Sequence, residues 1–269
     1  ILIDRGIPTR WNRSLRNMAL LASVLFAYAI MTSCGGTPSR DAQRNGNAAS
    51  AQSSAPAGQA AACNNPFYPT SSTAHWQYNA NFGSGPLTLT VKRMAIEFGK
   101  FTDHLAFSDG LSVDVPWNCT EEGLLCSEFV PVNLRHYQSA FKLQYSRGSG
   151  VTLPPVNNWS VGYHWTANFA VSGQRDQSSG PQEASGTVDI DNKIVGSGNV
   201  TVPAGTFDAF QVDSTIIETL TIGSGSTTGN TLHVSVKTTG WYAKDVGLIK
   251  IAFSGDPGTG GEELTSFTK

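Results

Sequence analysis

The side chains able to do chemistry in this chain are few and scattered. Its five histidines, at 75, 104, 136, 164 and 233, stand singly, without the HExxH or HxH spacing that brings two imidazoles to one metal. His233 shares an alternating face with Ser235 and Lys237, the pattern of a solvated strand face. Ser197 and Ser224 lie in Gly-Ser-Gly runs, but the GxSxG elbow that would activate a hydrolase serine is missing. Asp189-Ile190-Asp191-Asn192 offers oxygen ligands without the glycine and closing glutamate of a calcium loop. Glu121, Glu122 and Glu128 surround a cysteine pair, and a solvated hairpin tip accounts for them without acid–base catalysis. No catalytic residue, metal-ligand set or cofactor motif emerges, so the chain reads as a non-enzyme that needs no cofactor.

Cysteines stand at 34, 63, 119 and 126. In VDVPWNCTEEGLLCSEFV, a hairpin turning at Glu122-Gly123 would set Cys119 opposite Cys126. Opposed residues of an antiparallel pair have Cα atoms about 4.5–5.5 Å apart, within disulfide range. A Cys119–Cys126 bridge is therefore predicted, as a staple rather than a redox site, leaving Cys63 unpaired or joined to another molecule. Zinc is the competing use of the pair, but no histidine lies near it.

The elements that position these residues begin at an address. Arg10, Arg13 and Arg16 precede the apolar run Met18 to Met31, which is shorter than the roughly 20 residues a membrane span needs. Positive flank, apolar core and small residues at its end read as a secretory signal. Its last residues, Met31-Thr32-Ser33-Cys34, resemble a bacterial lipoprotein signal, with methionine where leucine is usual; an ordinary signal with an incidental cysteine is the alternative. The resemblance implies a signal peptide over 1–33, lipidation of Cys34 and, with Gly35 rather than aspartate next, sorting to the outer membrane or cell surface. Residues 34–62, rich in Ala, Ser, Gly and Gln, read as a disordered lipid-anchored tether, because they cannot bury enough apolar surface to offset their ordering entropy.

Residues 63–269 are long enough for one sizeable core. With 14% charged residues, a net charge of -2 and no basic run, nothing suggests a nucleic-acid partner. Period-2 alternation recurs from His75 to Phe253, and no segment carries a convincing helical period, although one short helix could hide in Leu124 to Ala140. The centre of the pattern is Gly196 to Val212: strand, a Pro203-Ala204-Gly205 turn, strand again. Trp241 to Phe253 reads as the last strand. His75-Trp76-Gln77-Tyr78 is echoed by His164-Trp165-Thr166-Ala167, which raises the expectation of two similar halves.

VPAGTFDAFQV (Val202 to Val212) and WYAKDVGLIK (Trp241 to Lys250) resemble motifs of a group of bacterial secreted proteins and lipoproteins called TapB-like, as do Asn65-Pro66-Phe67-Tyr68-Pro69 with Trp76 and the CTEEGLL hairpin. The resemblance implies a strongly curved antiparallel sheet, a half-barrel or barrel like those of periplasmic lipoprotein carriers, with little helix. It carries over no catalytic residue. A concave face lined by Trp76, Trp165 and Trp241 could hold an apolar ligand, a lipid or lipoprotein. An exposed aromatic row could instead stack on sugar rings, making the domain a surface module that contacts an envelope protein or polysaccharide.

Overall fold

The computed structural model describes residues 63–83, 85–126, 141–175, 180–223, 230–256 and 258–269. The signal, Cys34 and the tether lie outside them, as do Glu128, His136, Ser224 and, beyond Cys126, all of the suggested short helix.

Extended backbone sends successive side chains to opposite faces, so alternating large apolar and polar residues form strands with one dry face. His75–Asn81 (β1) shows this cleanly, burying Trp76, Tyr78 and Ala80 between exposed neighbours. Pro86–Glu97 (β2), Lys100–Phe107 (β3), Ser112–Thr120 (β4) and Gly123–Cys126 (β5) follow. Then come Phe141–Gly150 (β6), His164–Arg175 (β7), Gln182–Val202 (β8) and Gly205–Ile222 (β9). Asn230–Ala243 (β10), Gly247–Gly255 (β11) and Gly258–Thr268 (β12) complete the set.

Among the described residues all twelve strands form one antiparallel sheet in the order β5-β4-β3-β2-β1-β12-β11-β10-β9-β8-β7-β6. This corrects the expected half-barrel: the sheet is open, its end strands β5 and β6 do not pair with each other, and it is not strongly curled. The face expected to be concave is occupied by the chain itself. Phe67 stacks on Trp159 at 4.4 Å and meets Phe210 at 5.3 Å, while Tyr68 packs on Trp117 at 4.8 Å. The segment leading into β1 and the connection between β6 and β7 thus cover the inner face around Trp117 and Phe210.

Three strand boundaries also differ from expectation. The stretch from Trp241 to Phe253 is two strands, broken at 244–246. The strand expected to begin at Gly196 instead starts at Gln182 as part of β8, bent by a bulge between Ile194 and Gly196. The glycine-rich β12, unforeseen, lies mid-sheet between β1 and β11.

Because neighbours are antiparallel, connections alternate between two ends of the sheet. One end carries the β2–β3, β4–β5, β6–β7, β8–β9 and β10–β11 connections together with residues 63–74; we call it the motif end. There, long β8 and β9 overhang their neighbours. Their Pro203-Ala204 turn reaches β12, where the Ala204 amide donates to the Leu264 carbonyl at 3.0 Å. Pairing of β12 with β11 stops at Glu263, so the turn takes over the vacated strand edge.

Candidate functional site

The three tryptophans expected to face a ligand divide between the two faces. Trp76 and Trp165 are buried, and their indole N–H groups donate to carbonyls of the chain itself, Val246 at 2.7 Å and Thr152 at 3.2 Å. Neither belongs to the lining of the outer-face groove described below. Trp241 is half-buried on the opposite, outer face, with the Lys250 ammonium 5.5 Å from its ring centre.

The motif end is held by a buried polar knot that the sequence did not announce. Arg93 and Asp103, directly opposed on β2 and β3, form an ion pair of 2.9 Å with both side chains out of solvent. The Tyr68 hydroxyl donates to the other Asp103 oxygen at 2.5 Å. The Arg93 guanidinium lies over the rings of Tyr68 and Trp76, 3.9 and 4.2 Å from their centres. Burial, and then Asp103, raise the Tyr68 hydroxyl well above its ordinary pKa, so it remains a donor. Asp245, at φ 61°, turns its amide to the Pro66 carbonyl at 2.7 Å. The NPFYP segment, Trp76 and the WYAKDVGL turn are therefore parts of one joint. Their role is architectural.

Chemistry offered to solvent lies on the outer face. Strand register places Trp241 beside Lys250, Lys250 beside Glu263, Glu263 beside Asn79 and Asn79 beside Thr88. This row crosses five strands, about 19 Å at the usual strand spacing. Lys250 and Glu263 form an ion pair at 2.7 Å and keep 31% and 44% of their side-chain surface. The next row, Ala252, Gly261 and Asn81, is small at its centre, which opens a groove of about 570 Å³ edged further by Ser108. A Cβ on Gly261 would meet the Ile251 carbonyl, so close strand approach requires glycine at this floor. The groove offers amides, hydroxyls, one ammonium and one carboxylate; the Trp241 ring lies beyond Lys250, outside the groove lining.

Just behind it, Glu262 points to the inner face, opposite Ala80 and Ile251 and two residues from Leu264. Burial raises its carboxyl to about 7, and burial first, then the Glu262 charge, raises the hydroxyls of Tyr78 and Tyr242.

The four histidines among the described residues stay apart, each with its own cross-strand contact: His75 with Thr268, His104 with Asp114, His164 with Asp191 and His233 with Thr219. Among the described residues no group of three His, Cys, Asp or Glu could hold a metal. The disulfide joins Cys63 to Cys119, with Cα atoms 5.0 Å apart, in place of the predicted Cys119–Cys126 bridge. Cys119 faces Leu124 across the hairpin, and the buried Cys126 faces Trp117.

The twelve-stranded meander has a counterpart among solved structures. It is similar to the crystal structure of an exported protein with a YmcC-like fold from Bacteroides fragilis NCTC 9343, with a TM-score of 0.50 and 12% identity over 76% of this chain and 99% of that one. A lipoprotein from Parabacteroides distasonis ATCC 8503 aligns with a TM-score of 0.44, also at 12% identity over 76% of this chain and 99% of that one. The lipoprotein YmcC of Escherichia coli gives 0.35 at 12% identity, over 73% of this chain and 83% of that one. Residues 152–252 match the family model described as DUF3108-like. No curated protein matches the chain.

Proposed function

We propose that this is an exported cell-envelope protein, lipid-anchored through Cys34 on a tether over 34–62, that acts by binding rather than catalysis. Its ligand is a neutral, hydroxyl-rich polymer of the envelope, a polysaccharide, laid along the outer-face groove. The observation that carries this reading is the polar row from Trp241 to Thr88 above a floor of Gly261 and Ala252. Lys250 and Glu263 cancel in charge, and amides, hydroxyls and the ion pair present donors and acceptors side by side to sugar hydroxyls. Beyond the groove, the half-buried Trp241 ring beside Lys250 supplies an apolar surface for a ring to stack on. The N-terminal residues, and the fold shared with exported proteins, support the envelope address. An apolar cargo on the inner face is disfavoured, since Trp76 and Trp165 occupy that space themselves.

The test is calorimetric titration of the mature chain with polysaccharide extracted from its own cell's envelope. Binding that falls ten-fold or more in N79A and K250A supports the groove. Absence of binding, together with a stoichiometric lipid adduct in the native mass spectrum, would replace this reading with a carrier.

A further inference from the structure

Apolar side chains on the surface of this domain are not spread evenly. Of the eight large exposed ones among the described residues, Met94, Ile96, Phe98, Val156, Val161 and Val195 fall at the motif end, leaving Leu111 and Ile217 elsewhere. Scattered exposed apolar residues need no explanation, but six at one end of a sheet do.

The sharpest concentration is the β2–β3 hairpin, which projects past the start of β1, because β1 begins opposite Lys92. Met94, Ile96 and Phe98 are 41%, 40% and 50% exposed on it. The register slips between Met94 and Glu97, and Ala95 within that bulge takes φ 48°, a left-handed conformation that residues other than glycine seldom adopt. The neighbouring charges, Glu97 and Lys100, pair with each other at 2.9 Å, so the tip is apolar and electrically neutral.

The chain enters the domain at the same place. Cys63 is bonded to Cys119, and the Cys119 amide donates to the carbonyl of Gly99 in the hairpin turn at 2.7 Å. The disulfide thus fixes the point where the segment from Cys34 arrives beside the apolar tip. Cys63, the first described residue, therefore lies at this end of the sheet and not at the opposite one.

We infer that the β2–β3 tip, through Met94, Ile96 and Phe98, is a membrane-contacting surface that rests in the lipid interface and orients the domain with its motif end toward the bilayer. The inference builds on the lipid-anchor reading above, and its test does not depend on the lipid. The full mature chain carrying C34A, and so unlipidated, is floated with vesicles of phosphatidylethanolamine and phosphatidylglycerol. The chain should co-float, with little sensitivity to salt because the tip is neutral. M94S/I96S/F98S should cut the bound fraction about ten-fold, while L111S/I217S should leave it unchanged. Near-UV circular dichroism reports whether the triple variant keeps its packing; if it does not, F98S alone should still lower binding about three-fold. A parent chain that stays with the soluble fraction overturns the inference, as does equal loss in the two multiple variants. Failure of the anchor itself would show separately, as an unmodified Cys34 in protein extracted from the host membrane.

Discussion

Arg93 and Asp103 face each other across β2 and β3 with no access to water, and the pair is completed by a tyrosine hydroxyl from outside the sheet. One guanidinium nitrogen of Arg93, Nη1, is buried without a hydrogen-bond partner, and the rings of Tyr68 and Trp76 flank the cation instead. Removing one member leaves the other charge stranded. R93M or D103N should therefore cost about 3–5 kcal/mol in urea unfolding, and Y68F about 1–3 kcal/mol. The double variant R93M/D103L should lose far less than the sum of its single variants. Simple additivity would show that the pair is not coupled.

The Cys63–Cys119 bridge closes a loop of 56 positions. Peptide mapping without reductant should recover that pair, and C119S should lower stability by about 2–4 kcal/mol. Recovery of a Cys119–Cys126 peptide would restore the pairing that local reading favours.

That local reading failed for an instructive reason. Glycine at 123 looks like a turn residue, and a turn at Glu122-Gly123 pairs Cys119 with Cys126. In the structure Thr120 pairs with Gly123, so the turn sits one residue earlier and every partner moves by two. Gly123 belongs to the strand, at φ 137°, because a Cβ there would meet the Leu153 carbonyl from a connection thirty residues on. No neighbouring residue records that approach. By contrast Val202-Pro203-Ala204-Gly205 was legible, because its turn is determined by its own proline and glycine. Gly258–Thr268 was missed for want of apolar alternation: Gly260 lends its space to the Phe253 ring, and Glu262 sits where an apolar residue is expected. The sides taken by Trp76, Trp165 and Trp241 depend on which segments cover the sheet, and that too is a long-range matter.

Glu262 gives the domain a pH dependence opposite to that of a salt-bridged carboxylate. Its folded pKa, about 7, lies above the ordinary 4.5, so between these values the folded state binds more protons than the unfolded one. Stability should fall as pH rises from about 4.5 to 7, by about 3 kcal/mol, and then level off. E262Q should flatten this segment of the curve and be the more stable protein at pH 8. An unchanged slope in the variant would place the titration elsewhere.

The groove can be closed without touching its polar row. Ala252 lies on the floor beside Gly261, half exposed. A252L should abolish polysaccharide binding at concentrations that saturate the parent chain, while changing stability by no more than about 0.5 kcal/mol. Retained affinity would move the ligand off this face.

The seam between β1 and β12 sets the order in which the molecule can be completed. His75 lies opposite Thr268, so mid-sheet pairing joins residues 193 positions apart in the chain. Until β12 is synthesised and delivered, the two wings, β1 to β5 and β6 to β11, are separate sheets with exposed edges at their junction. A nascent chain emerging N-terminus first cannot close this join early. Loss of even the last eleven residues would leave two half-sheets held by their edge packing and the disulfide-pinned entry segment, a species with open strand edges and a strong tendency to associate.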